Sequence, residues 1–358
     1  KNNILKQINL WSKKLNMSHK NLSVKIKIPK LLKNKLNNKK IHQIYKRFEK
    51  SINVKEKFIV AVSGGPDSLA LAFLAKIYSI KKKIDVKFFI VDHKLRIEST
   101  KEAQLVRQKL KRYFINAKIL TWKGPKPFKN IQSLARKKRY ELLLNKCDHL
   151  KIKNIWLGHN QDDLFENFFI RLLRGSGLKG LTSFEKKSKL GDKYLLRPLL
   201  YEKKENLEFL SKKVFNFYVT DPSNNDEKYQ RIRVRNLIKE LNDNGLDKKK
   251  FFKTLRNLNY SNNVINFHVN KNLRENTFFS SKDNKLIINR DFFIQPHEVI
   301  FRSLSDGIRI IGKKYYSVRG KKLDNIIENI KNNSLFRVTL GGCVIEKVNQ
   351  TVIISKEH

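Results

Sequence analysis

With only two cysteines in 358 residues, Cys147 and Cys343, the chain cannot carry a disulfide framework. The two are far apart and neither belongs to a CxxC pair, so no zinc ribbon is indicated and a reducing cytoplasm fits. Acid is also scarce: 32 Asp+Glu stand against 78 Lys+Arg, for a formal charge of +46. A solvated acidic surface is excluded, and a polyanionic partner such as nucleic acid is the first expectation. Genome bias toward Lys, Asn and Ile accounts for scattered lysines better than for arginine clusters. No apolar run approaches the roughly 20 residues that span a bilayer, so no membrane partner is expected. No leader with an apolar core followed by small residues is read, and the basic N-terminus is rich in Asn and Lys rather than Arg. What the chain does have is 40% hydrophobic residues, enough for a substantial core in two or three domains.

The most informative stretch is Ser63, Gly64, Gly65, Pro66, Asp67 and Ser68, directly after the apolar run Phe58 to Val62 and before the helical pattern Leu69 to Tyr78. Two glycines can take backbone angles closed to other residues, so successive N–H groups can converge on an anion beside the positive end of a helix. No lysine lies within the loop, which sets it apart from the common Gly-Lys-Ser/Thr nucleotide loop. It resembles instead the pyrophosphate loop of the N-type ATP pyrophosphatases, which split ATP between its α and β phosphates.

Short apolar runs predict buried strands at Phe58 to Val62, Val86 to Asp92, Ala117 to Trp122 and Ile155 to Gly158. Between them lie helical patterns at Leu69 to Tyr78, Thr100 to Phe114 and Ile131 to Leu150, and Ile41 to Phe48 predicts a helix under the first strand. The alternation predicts an α/β domain with a parallel sheet and ligands at the carboxyl ends of its strands. The expected domains are a solvated basic extension over 1–38 and a catalytic ATP-binding domain over 39–225. A helical domain over 226–275 and a small α+β domain over 276–358 follow. The helical stretch is read from Lys228 to Asn270. The last part mixes short β-rich runs with a helix near Lys321 to Lys331, and Gly341-Gly342 reads as a turn.

Further segments occur in an order that resembles the tRNA(Ile)-lysidine synthetases: VDHKLRIES from Val91, ARKKRYELL from Ala135, GHNQDDLFENFFIRLLRGSGLKGL from Gly158, and RPLL from Arg197. DPSN from Asp221 and YQRIRVR from Tyr229 extend the likeness, which covers roughly residues 55 to 240. The resemblance implies a PP-loop fold and ATP as cosubstrate. It also implies a tRNA(Ile) with a CAU anticodon and L-lysine as partners, and it allows a homodimer. ATP would activate the ring carbonyl oxygen of the wobble cytidine as an adenylate, and the ε-amine of lysine would then displace AMP. The chain departs from the family at His159-Asn160, where a His-His pair preceded by alanine is usual, at Leu164 and Asn167, and at Ile232 after Arg231.

Asp67 inside a phosphate loop is electrostatically unfavourable unless a cation mediates, which points to Mg²⁺; a helix-cap role is the plainer reading. Ser63 to Ser68, Val91, His93 and Gly158 are expected around ATP. Asp163 and Glu166 are three apart, share a helical face, and could hold the lysine amines or accept a proton; first-turn stabilisation alone would also explain them. His159 joins them as a catalytic candidate, although a lone histidine is as often a packing residue. Phe165, Phe168, Phe169 and Leu172 read as a packing stripe. Arg171 and Arg174 read as one helical face, and Arg231 and Arg235, four apart, can act together; these four are the RNA or lysine-carboxylate candidates. Two other readings remain: tRNA thiolation, which needs cysteines, and a non-catalytic basic RNA-binding protein.

Overall fold

A computed structural model describes residues 28–124, 131–220, 228, 230–313, 318, 320–334 and 337–357. Asp221 to Asn224 and Tyr229 lie outside the described residues. The chain divides into two compact units, one of residues 1–161 and 193–221, the other of 162–192 and 222–358.

The first unit is a parallel α/β layer. Its strands are β1 (Phe58–Val62), β2 (Val86–Asp92), β3 (Ala117–Thr121), β4 (Asn154–Trp156) and, beyond β5 (Lys187–Leu190), β6 (Lys193–Leu196). The strands of this unit run in the order β3-β2-β1-β4-β6, and every pairing among them is parallel. Predicted strands β1 and β2 keep their limits, whereas the fourth starts one residue earlier and stops at Trp156. The short strands β5 and β6 had no distinct signal, because each has only four residues, with lysine at two positions of β5 and at the first of β6.

Apolar residues on both faces of β1 explain why it is central. Phe58 stacks on Trp156 of β4 with centroids 3.7 Å apart, and Phe48 and Tyr78 close round the same indole at 6.0 and 5.7 Å. Phe48 comes from the helix Lys39–Lys50, which therefore packs on this core as its apolar spacing predicted. The expectation of a solvated extension to residue 38 is corrected here. Helix Lys30–Leu36 buries Leu32 and Leu36 in the core, since its two leucines four apart make an apolar edge among lysines.

In the second unit the single helical stretch is two helices, Gln230–Asp243 and Lys248–Glu275. Gly245 breaks it with φ +93°, and Asp247 caps the second helix by accepting from Lys249 N at 2.7 Å and Lys250 N at 3.3 Å. The C-terminal sheet is antiparallel in the order β7-β8-β11-β10-β9. Its strands are β7 (Thr277–Ser280), β8 (Lys285–Ile288), β9 (Arg337–Leu340), β10 (Cys343–Val348) and β11 (Thr351–Lys356). Gly341 and Gly342, at φ +67° and +76°, make the β9–β10 turn as read. Helix Gly320–Lys331 was expected, but the helix His297–Ile311 was not. Gly307 lies inside it, and a Cβ there would meet Leu286 Cδ2 at 2.8 Å, so the glycine that weakens the helical signal is what lets the helix approach the sheet.

Candidate functional site

The strand order reverses between β1 and β4, which leave the centre of the sheet side by side while the chain runs outward through β2 and β3. Ligands of such sheets bind at this reversal, beyond the carboxyl ends of the strands. Ser63 to Ser68 follow β1 there, Gly158 and His159 follow β4, and His93 follows β2.

Within the loop Gly64 takes φ +92°, and Gly65 is the cap of helix Pro66–Lys82. Pro66 at the first helical position lacks an N–H that would be unpaired in any case. The N–H groups of Ser63 and Gly64 converge on one acceptor, Ser68 Oγ, each at 3.1 Å, and that hydroxyl donates to Gly65 O at 2.9 Å. Asp67 stands in the first helical turn, and the cap position belongs to Gly65. A Cβ on Gly64 would meet Val106 Cγ2 at 2.7 Å, and one on Gly158 would come within 2.9 Å of both Cα and N of Ser68. Two strand ends thus touch through glycines, backbone against backbone.

Two supports of this loop had no sequence signal, because they arrive from about 150 residues downstream. Ser211 Oγ donates to Pro66 O at 2.6 Å, and Val219 N donates to Gly64 O at 2.9 Å. The exit from β4 is held as well: Gln161 N donates to Glu202 O at 3.1 Å. The Glu202 carboxylate in turn takes a two-pronged bond from Arg47, at 2.6 and 2.9 Å.

At the end of β2, Asp92 is buried and accepts from Lys94 N, Ser99 Oγ and Thr100 Oγ1 at 3.0, 2.8 and 2.7 Å. Burial works to raise its pKa, but these three bonds outweigh it and hold the carboxyl below its ordinary range. Asp92 therefore shapes the turn that carries His93. Burial pushes His93 down to about 4; the Arg139 cation adds to the shift and Asp92 opposes it. Its imidazole is neutral at physiological pH. Arg139, from the ARKKRYELL segment, is a neighbour of His93 that strand-end reasoning alone did not predict.

In the second unit, helix Gln161–Leu172 carries the acids. Glu166 is 2% exposed and sits between two guanidiniums: Arg231 Nε lies 2.6 Å from Oε2 and Arg235 Nε 2.5 Å from Oε1. Arg231 Nη2 also reaches Asp163 Oδ1 at 3.3 Å, and Lys248 Nζ reaches Asp162 Oδ1 at 3.6 Å. Asp163 and Glu166 share a face and Arg231 and Arg235 act together, as their spacings required. Burial drives the Glu166 pKa upward, and the arginines offset this only in part, so the carboxyl stays above its ordinary value.

Phe165, Phe168 and Phe169 pack on Phe251, with centroids 4.4, 4.9 and 5.8 Å apart, which docks the acid helix on helix Lys248–Glu275. Leu172 is corrected: it is the last residue of the helix, which ends there, and is 49% exposed. The shared helical face of Arg171 and Arg174 is corrected for the same reason. Arg174 lies past the helix, before Gly175 at φ +66°, and donates to Gln230 Oε1 at 2.6 Å. Among the described residues no group of three metal-binding side chains occurs. One carboxylate in a phosphate loop nevertheless fits Mg²⁺, which binds through one or two carboxylates and otherwise through water and substrate phosphates.

A family model for the PP-loop domain matches residues 33–241. The tRNA(Ile)-lysidine synthase of Orientia tsutsugamushi (strain Boryong) is 34% identical, the match covering 84% of this chain and 70% of that protein. That of Wolbachia sp. subsp. Brugia malayi (strain TRS) is 32% identical over the same shares. Among solved structures, the U34-tRNA thiolase NcsA from Methanococcus maripaludis superposes with a TM-score of 0.52. It is 19% identical, covers 62% of this chain and 78% of its own, and is alike in fold. A glycine loop at the strand-order reversal, with this breadth of sequence identity around it, places the chain in the tRNA(Ile)-lysidine synthase family of PP-loop proteins.

Proposed function

We propose that this protein joins L-lysine to the wobble cytidine of the CAU anticodon of tRNA(Ile), using ATP. The ring carbonyl oxygen of the cytidine attacks the α-phosphorus and pyrophosphate leaves; the lysine ε-amine then attacks the activated ring carbon, AMP leaves with the carbonyl oxygen, and the amine gives up a proton. The observation that carries the reading is the glycine loop itself, which follows β1 at the strand-order reversal, takes Gly64 to φ +92° and opens the helix Pro66–Lys82. It is supported by the names of the relatives.

Ser63 to Ser68, with Val91, His93 and Gly158, serve ATP in this reading, and Asp67 holds Mg²⁺, which neutralises phosphate charge when bound. A neutral His93 can accept a hydrogen bond without adding charge. His159, Asp163 and Glu166 serve the lysine amines and their proton, and Arg171, Arg174, Arg231 and Arg235 the RNA phosphates or the lysine carboxylate. Asp163 and Glu166 already hold arginines, so an incoming ammonium competes with Arg231 and Arg235 for the same carboxylate oxygens. Residues 39–225 act as the ATP-binding domain, 226–275 as an RNA-binding helical domain and 276–358 as a small α+β domain. The setting is cytoplasmic, and a homodimer is compatible with it. No helix of the described residues is long and apolar enough to cross a membrane.

Thiolation is disfavoured because both cysteines are fully buried, Cys147 in the first unit and Cys343 in the second. The test is to incubate the protein with ATP, labelled lysine and an isoleucine tRNA bearing CAU, then digest the RNA. A labelled nucleoside is expected with lysine, and none when a methionine tRNA with the same anticodon replaces it. Incorporation from a sulfur donor, or tRNA binding without ATP consumption, overturns the reading.

A further inference from the structure

Helix Lys248–Glu275 carries seven Lys or Arg residues (248, 249, 250, 253, 256, 271 and 274) and one acid, Glu275. Its buried side, with Phe251, Leu255, Asn262, Val269 and Asn272, faces the rest of its own unit. On the opposite side Tyr260, Val264 and Phe267 are 61%, 59% and 66% exposed. They recur every three or four residues, so they form one stripe, continued by Arg256 and Lys253 on one side and by Lys271 on the other. The rotation of the helix about its axis is fixed by a buried cation. Arg302 Nη1 donates to Asn262 Oδ1 at 2.6 Å and to Asn266 Oδ1 at 3.1 Å, and its Nε donates to Glu298 Oε1 at 2.7 Å. The rings are therefore held outward by a polar clamp on the other face.

We infer that this stripe is a stacking platform for unpaired bases of the tRNA, with Lys253, Arg256 and Lys271 on the flanking phosphates. The inference rests on the reading of the chain as a tRNA-modifying enzyme and goes beyond the expectation that this domain touches RNA, since it names the face and the mode. Charge selects the occupant. Two rings about 10 Å apart with cations at both ends match a splayed single strand, whose bases offer π-faces and whose backbone offers anions. A duplex hides its base faces. Three apolar side chains make too small a patch for a stable dimer, which needs about 800 Å² from each partner.

The test compares wild type, Tyr260→Ala/Phe267→Ala, the ring-retaining Tyr260→Phe/Phe267→Tyr, and Lys253→Ala/Lys271→Ala. Each is titrated with single-stranded oligoadenylate, with a duplex RNA of equal length and with the tRNA, across a salt series. The double-alanine variant is expected to bind oligoadenylate and tRNA about 10–100-fold more weakly, with duplex affinity and salt slope unchanged. The ring-retaining variant is expected to match wild type. The lysine variant is expected to flatten the salt slope by about 0.7 per lysine on the single strand. Unchanged affinity in the double-alanine variant, or an equal loss on duplex and single strand, overturns the platform. So does a drop in sedimenting mass without loss of RNA affinity, which would make the stripe a contact between copies. The labelled-lysine assay is read separately, so absence of lysidine in wild type would sink the functional reading and leave the binding result standing.

Discussion

Glu166 combines two demands in one side chain. It is buried between Arg231 and Arg235, and it is the candidate to position and deprotonate the lysine amine. Glu166→Gln is expected to leave pyrophosphate release largely intact while slowing AMP release by about 10²–10⁴, because only the second step needs the amine deprotonated. Single-turnover assays following the two products separately check this; equal loss of both would assign Glu166 to ATP or metal. The same variant should also lower stability, toward the lower end of the roughly 3–5 kcal/mol seen when one partner of a buried pair is removed, since both arginines are more than a third exposed. His93 makes a pH-dependent contribution of opposite origin. Its folded pKa of about 4 lies below the ordinary 6.5, so the unfolded chain binds the extra proton between those values. Stability should be fully present above pH 6.5 and fall as the pH drops toward 4. The loss should be about 1–2 kcal/mol once solvent screening is allowed for. Urea midpoints across that window should slope less in His93→Asn than in wild type.

At the scale of elements, what matters is how two loops approach. The β1 loop and the β4 exit touch where Gly158 lies against the backbone of Ser68, and neither neighbour can rotate away as a side-chain tip could. Gly158→Ala, the residue usual in the family, is therefore expected to displace the loop. We expect a stability loss of about 1–3 kcal/mol and a fall in tRNA-dependent pyrophosphate release. Wild-type melting and turnover would show that the loop yields without cost. Gly65→Ala is the useful comparison, since a Cβ there meets only Ser63 Oγ at 3.8 Å. It should cost far less stability.

For the whole molecule, a net charge of +46 makes the long-range field the main force that draws a polyanion to the surface. If about five phosphates are neutralised, a four-fold rise in salt should weaken tRNA binding by roughly 10²–10³. A filter-binding series in salt measures it. A flat response would return the lysines to genome bias and leave the arginines as the selective contacts.

Local signals were enough wherever one short segment carries its own constraint. The run Phe58 to Val62, the two glycines after it and the Pro66 helix start specify strand, turn and helix from backbone geometry alone. Likewise the three-residue spacing of Asp163 and Glu166 and the four-residue spacing of Arg231 and Arg235 required each pair to share a face. Nothing local could show that the two pairs meet, since 65 residues separate Glu166 from Arg231 and the contact depends on how the acid helix docks through its phenylalanines. Ser211 and Val219 supporting the loop, Arg139 beside His93 and Arg302 setting the rotation of a helix 40 residues away were equally invisible. Each is a hydroxyl, an amide or a cation whose role comes from the partner that folding brings to it. Hydrophobic period and glycine placement are written along the chain, whereas the pairing of polar groups is decided only when distant segments pack.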